Sequence, residues 1–338
     1  MHNDITDIAG LSIGHSEAVD AATGVTAILF HQPAVASVAI MGGAPGGRDT
    51  ALLDPDMTVE TVDAIVLSGG SAFGLDAAGG AQAALLGMGR GLAVGAARVP
   101  IVPQAIIFDL LNGGNKTWGG SRNSGAIPPY WALGKAALEA AANASPPLAL
   151  GSVGAGLGAT TANLKGGVGS ASASSSRGHM VAALVVVNAI GTATMGHSAH
   201  FWAAPYECGT EFGGHGWPSS LSRDMLALHI KGHAAEPATT IGLVATDAAL
   251  TKPQAKRLAI MAHDGLSRAI RPAHAPMDGD MLFAATTGAR PLTDPLLELT
   301  ELGLLAGDCV ARAIARGVFE AKALPFANAL PDWKSRFG

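Results

Sequence analysis

The stretch Glu236-Pro237-Ala238-Thr239-Thr240 passes from a loop straight into the β-run TTIGLVATD, so a hydroxyl residue stands at the first position of a strand. If the Ala238–Thr239 bond breaks, Thr239 acquires a free α-amine of pKa about 8 beside its own hydroxyl, and nucleophile and base then come from one residue. Ala238 is small enough to let the hydroxyl approach its carbonyl. Pro237 restricts the backbone before it, which can hold strain that favours an N-to-O acyl shift. On residue types alone, the junction reads first as an ordinary loop-to-strand transition, because Thr is common in strands.

A second group of reactive side chains lies at Met277-Asp278-Gly279-Asp280, just before the β-run MLFAATTG. Two carboxylates at the mouth of a strand can hydrogen-bond a new α-amine and the Thr239 hydroxyl, keep the amine positioned and tune its proton affinity. A solvated Asp-Gly turn is the plain alternative, and a hard-cation site would need more oxygen ligands than two.

Other motifs carry less. Gly154-Ala-Gly156-Leu-Gly158-Ala159 satisfies G-x-G-x-x-A, but no acidic residue follows at the distance a ribose would need, and Lys165 does not sit in a phosphate-loop pattern. His229 with His233, and His197 with His200, have spacings that could place pairs on one face. Neither pair has the Glu of H-E-x-x-H, so no metal is expected. Arg48 and Asp76, near the glycine turns, read as a structural ion pair.

The elements that must position these residues are mixed. Strands are expected at GVTAILF from Gly24, ASVAIMGG from Ala36, DAIVLSGG from Asp63 and VAALVVVN from Val181, as well as after Thr239 and Met281. Helices are expected over Leu75–Leu86 and Pro129–Ala142, from a Thr251 cap with an apolar stripe through Leu258, Met261, Ala262, Leu266 and Ala269, and from Asp294 to about Ala315. ASASSS from Ala171 reads as a small polar loop, and 197–236 as an irregular surface segment with a short helical piece around Met225.

With 338 residues, one large domain or two small ones fit the length; 49% hydrophobic and 14% charged residues indicate a packed core. The net charge of −5 and scattered cations give no footprint for nucleic acid, so a small-molecule partner is expected. Cys208 and Cys309 read as free thiols. Without a signal-like start or an apolar run of spanning length, no membrane association and a cytoplasmic location are the expectation.

Five stretches in order, GGAPGGRDT (42–50), LSGGSAFGLDAAGG (67–80), VPIVPQAIIFDL (99–110), GSVGAGLGATTANLKGGVGSAS (151–172) and PATTIGLVATDA (237–248), resemble the DmpA aminopeptidase family, which includes β-peptide aminopeptidases and nylon-oligomer hydrolases. The resemblance implies an α+β fold, the αββα sandwich of the DmpA and ornithine-acetyltransferase type, related to N-terminal-nucleophile hydrolases. It implies one catalytic domain over 1–338, cut by itself between Ala238 and Thr239 into 1–238 and 239–338. Thr239 would then be the nucleophile of a cofactor-free hydrolase of small peptides or amides, in a homotetramer.

Asp278 falls at the family spacing, 39 residues after Thr239, and Asp280 matches the acidic partner of the nucleophile. Asn188 resembles the oxyanion-binding Asn, and Lys165 a Lys near the nucleophile in the nylon-hydrolase branch. Three positions depart from the pattern. Phe108 stands where well-known members carry Tyr, its ring still able to wall a substrate pocket. Ala238 replaces Gly or Asn, and Ile106 stands where an acidic residue would hold a substrate ammonium. Two other readings stay open: an acyltransferase of the ornithine-acetyltransferase type, and an unprocessed, non-catalytic ligand-binding relative.

Overall fold

The computed structural model describes residues 1–119, 126–232 and 237–338; Glu236 and His233 lie outside them. In chain order the elements begin with β1 (Leu11–Ala18), β2 (Thr23–Ile40), β3 (Gly47–Arg48), β4 (Thr61–Ser68), α1 (Ala77–Gly87), β5 (Leu92–Val94), β6 (Ala97–Val99), β7 (Gln104–Ile106) and α2 (Tyr130–Ala142). They continue with β8 (Val168–Ser174), β9 (Met180–Asn188), α3 (Arg223–Leu226), β10 (Thr239–Ala248), α4 (Lys252–Ala262), α5 (Asp264–Ala269), β11 (Met281–Arg290), α6 (Pro295–Phe319) and α7 (Trp333–Phe337).

Among the described residues, nine strands form one mixed sheet in the order β3-β7-β4-β2-β11-β10-β9-β8, with β1 paired to β2; β5 and β6 form a separate hairpin. The two runs expected at Gly24 and Ala36 are a single strand of 18 residues. Its first half pairs with β4 and its second with β11, and the β4 register shifts between Leu29 and Ala34. The exposed His31-Gln32-Pro33 lies at that shift. Pro33 cannot donate to a ladder, which suits an interruption.

Side-chain parity shows how the sheet becomes two layers. Val25, Ala27 and Leu29 pack with α1 and α2, whereas Ile28 and Phe30 share a core with Ala182, Leu184, Val186, Ile241, Leu243 and Phe283. The alternate residues Val181, Ala183, Val185 and Val187 pack with α4, α5 and α6. Helices, sheet, sheet and helices therefore stack around three apolar layers, the αββα arrangement of an α+β protein.

Local chemistry explains most element ends. Thr251 caps α4 and exchanges bonds with Gln254 as a capping box, with Pro253 in the first turn, and Asp294 accepts from the Leu297 amide at the start of α6. The stripe running on to Leu266 and Ala269 is not one helix: the backbone breaks at His263, whose Nε2 faces the Ala39 carbonyl at 2.9 Å. ASASSS is not a loop, because residues through Ser174 belong to β8. The strand lies so close to α6 that a Cβ on Gly169 would come within 1.8 Å of the Ala313 carbonyl oxygen, so small residues serve contact there. Arg48 bonds Gln82 and the Leu75 carbonyl, with Asp49 rather than Asp76 as its acidic neighbour. Cys208 is exposed and Cys309 buried, both free. No helix among the described residues is long and apolar enough to cross a membrane.

Candidate active site

Three strand ends meet at one edge of the second layer. The antiparallel pairing of β9 and β10 sets Asn188, the last residue of β9, opposite Thr239, the first of β10. Parallel pairing of β10 with β11 sets Met281 beside Ile241 and so brings the preceding acidic loop to the start of β10. Thr239 shares its parity with Ile241 and Leu243, and Asn188 with Ala182, Leu184 and Val186; both side chains therefore face the space between the layers. Thr239, Asn188, Asp278 and Asp280 are all buried.

At the junction, the Thr239 hydroxyl hydrogen-bonds the Ala238 carbonyl oxygen. The Gly279 amide donates to that same oxygen at 2.9 Å. Glycine is required at 279 by space: a Cβ there would lie 2.8 Å from Thr239 Oγ1 and 2.9 Å from its Cγ2. The acidic loop is held in turn by the glycine-rich segment after β2. Met41 and Gly42 donate to the Asp280 carbonyl and Ala44 to that of Asp278, and a Cβ on Gly42 would meet the Asp278 oxygen and the Asp280 nitrogen at 2.4 Å.

The two carboxylates have different surroundings. Asp280 accepts the Thr240 amide at 2.9 Å through Oδ1, and the His274 amide and ring Nδ1 at 2.9 and 2.8 Å through Oδ2. Its bonds go to the residue after the expected nucleophile, not to the Thr239 hydroxyl. Two backbone N–H groups and an imidazole nitrogen thus converge on this one carboxyl group. Asp278 lies beside it with Oδ1 buried and without a hydrogen-bond partner among the described residues. Burial first, then the adjacent Asp280 charge and their mutual hydrogen bond, push the Asp278 carboxyl up to about 8, against the pull of Lys231.

Asn188 is fixed by its network. Oδ1 accepts from Lys231 Nζ at 3.0 Å, the Thr160 amide at 3.1 Å and Asn112 Nδ2 at 3.3 Å, while Nδ2 donates to the Phe108 carbonyl at 2.9 Å. Three donors on one atom settle which end of the amide is oxygen. One amide hydrogen goes to Phe108, and the other meets no acceptor among the described residues. It is available to an oxyanion.

Lys165 is also buried, and its ammonium donates to the carbonyls of Gly156, Ala159 and Gly166 at 2.8–2.9 Å. Burial pulls it down to about 7, with Asp109 opposing and Lys231 adding to the effect. The Gly154–Ala159 turn is thereby wrapped around a lysine of its own chain. Ile106 is buried at the end of β7. Among the histidines of the metal-like spacings, His200 faces the Gly216 carbonyl and His229 the Asp224 carbonyl.

A cavity of about 420 Å3 adjoins this network, lined by Leu111, Asn112, Thr160, Lys231, Phe326 and Asn328 among others. Three of these residues contact Asn188. Sequence reasoning missed Lys231, Asn112, Thr160 and His274, as well as the role of the Gly279 amide. Only Gly279 had a local signal, its place between the two Asp residues.

The model of peptidase family S58 matches residues 3–329. The chain belongs to that family. An uncharacterized aminopeptidase of Mycobacterium tuberculosis (strain ATCC 25618 / H37Rv) is 40% identical over 355 residues, covering 99% of this chain and 98% of the relative. A 6-aminohexanoate-oligomer endohydrolase of Kocuria sp. (strain KY2) is 30% identical over 291 residues, covering 83% and 74%. Among solved structures, a Burkholderia sp. β-aminopeptidase superposes with a TM-score of 0.70 at 22% identity over 99% of this chain and 92% of that one. The L-aminopeptidase D-Ala-esterase/amidase of Ochrobactrum anthropi, described as a variant of the Ntn hydrolase fold, superposes with a TM-score of 0.67 at 21% identity, over 98% and 92%. The family resemblance carried by the five motifs therefore extends over nearly the whole chain, the fold is that of this group, and the protein is a hydrolase of peptide or amide bonds.

Proposed function

We propose that this S58 member is a self-processing, aminopeptidase-type hydrolase whose nucleophile is Thr239, released by cleavage after Ala238. The observation that carries the reading is the convergence on one carbonyl: Ala238 accepts the Gly279 amide at 2.9 Å while the Thr239 hydroxyl rests on the same oxygen. In the continuous chain, Thr239 Oγ1 attacks the Ala238 carbonyl carbon, and the Gly279 N–H meets the developing oxyanion. The C–N bond breaks, the departing nitrogen takes up the proton lost by the Thr239 hydroxyl, and an ester joins Ala238 to Thr239 Oγ1. Water hydrolyses the ester to leave the Ala238 carboxylate and a free Thr239 amine.

In turnover the amine accepts the hydroxyl proton as Oγ1 attacks a substrate amide, and returns it to the leaving amine; water then frees the acid. Asn188 offers its second amide hydrogen to the oxyanion. Asp280 fixes the start of β10 through Thr240, and Asp278, its carboxyl pushed up by burial, lies beside it. Lys165 acts on the loop: it holds the Ala159 carbonyl, so the next amide, Thr160, is aimed at Asn188 Oδ1. Phe108 contributes its carbonyl, a bond that does not depend on whether its ring carries a hydroxyl. The cavity beside Asn188 suits a small peptide or amide.

Release of free acid from amino-acyl amides, lost in Thr239→Ala, tests the reading. Product that appears only with an added amine acceptor would instead support acyl transfer, and inactivity of a persistently uncut chain would support the binding-protein alternative.

A further inference from the structure

Asp280 is the buried hub of the acidic loop, and its geometry depends on a residue outside every motif. His274 donates to Oδ2 twice, from its amide at 2.9 Å and from Nδ1 at 2.8 Å, and thereby leaves Oδ1 for the Thr240 amide. His274 makes this double contact from a left-handed backbone, φ +58°, a conformation uncommon for a residue other than glycine.

The ring has a defined setting. Its side chain is 21% exposed whereas that of Asp280 is 1% exposed, so His274 connects the buried carboxylate to the surface. On the other side it packs edge-on against His263 at the end of α4, with ring centroids 5.1 Å apart. His263 turns Nε2 to the Ala39 carbonyl, and burial, the largest cause, holds it down to about 4, so it faces His274 as a neutral ring. The other charged groups in this neighbourhood are Asp264 beside His263, and Asp278 and Lys231 around Asp280.

We propose that His274 is a positioning residue for the hydrolytic reaction: its Nδ1–H fixes the Asp280 carboxylate in the rotamer that anchors Thr240 and thereby aims Thr239. It rests on the reading of Thr239 as nucleophile and adds to it a residue that touches neither substrate nor scissile bond. The donor of an adjacent residue sets the carboxylate rotamer, and a misplacement of the nucleophile by an ångström costs turnover more than binding.

Three replacements separate the donor from the ring. Asn tolerates positive φ and carries an amide N–H near the place of Nδ1; Gly tolerates the backbone and keeps only the main-chain donor; Asp has the shape of Asn but presents an anion to Asp280. Steady-state kinetics on processed protein, with processing checked by intact mass, should show kcat for His274→Gly lowered about 10- to 100-fold with KM nearly unchanged. His274→Asn should restore most of it, and added imidazole should partly rescue the Gly variant through the exposed face. Should the Gly protein fail to fold, the isosteric comparison of His274→Asn with His274→Asp carries the test, with Asp expected to lose at least tenfold in kcat. Wild-type kcat in the Gly or Asp variant, or equal loss in Asn and Gly without imidazole rescue, would overturn the proposal. Retained cleavage and activity in Thr239→Ala would instead defeat the nucleophile assignment and leave the His274 comparison a separate result.

Discussion

The Gly279 amide and the Ala238 carbonyl oxygen lie 2.9 Å apart, joined by a hydrogen bond that ties the acidic loop to the peptide unit preceding β10. The same approach brings Gly279 so near Thr239 that a methyl group in place of its Hα would fall 2.8 Å from the hydroxyl oxygen. Gly279→Ala should therefore displace either the hydroxyl or the amide donor and slow processing by at least about 100-fold, the loss typical of one oxyanion donor. A time course of fragment appearance in freshly translated protein checks this. Processing at the unmutated rate would mean that the amide has no part in it.

Asn188 is proposed to act toward substrate rather than the chain's own carbonyl. Asn188→Ala removes the remaining amide hydrogen and leaves Lys231, Thr160 and Asn112 without the oxygen on which they converge. The expected loss is about 100- to 1000-fold in kcat, with a smaller change in KM. Equal losses in binding and turnover would reassign Asn188 to holding the ground state.

The raised Asp278 carboxyl makes a signed statement about stability. Burial pushes its pKa up to about 8 from the ordinary 3.8, so between those values the folded chain retains a proton that the unfolded chain has lost. This contribution is complete below about pH 4 and disappears as pH rises towards 8. Asp278→Asn, made on a Thr239→Ala chain that cannot process, should therefore gain melting temperature relative to its Thr239→Ala parent as pH rises through that window. A difference that stays flat or runs the other way would show that the carboxyl is ionised in the fold.

Lys165 gives a test of structure against chemistry. Lys165→Met keeps the length of the side chain but takes the ammonium from three buried carbonyls; those of Gly156 and Ala159 keep the Ala159 and Gly166 amides at 3.2 and 3.0 Å, and a stability loss of about 1–3 kcal/mol is expected, readable in denaturant unfolding. Residual activity should fall through the disturbed Thr160 amide rather than through a lost proton carrier, so exogenous amines should not rescue it. Rescue by an amine would place the ammonium in the reaction itself.

How far the sequence could be read follows from the range of the interactions involved. Whereas Asn188, which closes VAALVVVN, is singled out only by the family resemblance, Thr239 and the Asp278/Asp280 pair sit at strand ends with local signals, a loop entering a β-run and an Asp-Gly-Asp turn before MLFAATTG. The Thr251 and Asp294 caps were legible for the same reason. What failed was non-local. The GVTAILF and ASVAIMGG runs look separate because His31-Gln32-Pro33 is polar and interrupts the pattern, but both halves stay hydrogen-bonded to different neighbours. ASASSS resembles a loop until α6 lies against it. Lys231 and His274 occupy irregular segments, where no periodicity indicates which side chain turns inward.

The central claim is that the chain cuts itself between Ala238 and Thr239, and intact mass spectrometry of purified wild-type and Thr239→Ala protein, with amino-terminal sequencing of the smaller species, tests it most directly. Wild-type protein should yield two fragments, 1–238 and 239–338, the smaller beginning Thr-Thr-Ile-Gly, while Thr239→Ala should remain one full-length species. A single uncut wild-type chain, a small fragment with another first residue, or equal cleavage of Thr239→Ala would contradict it.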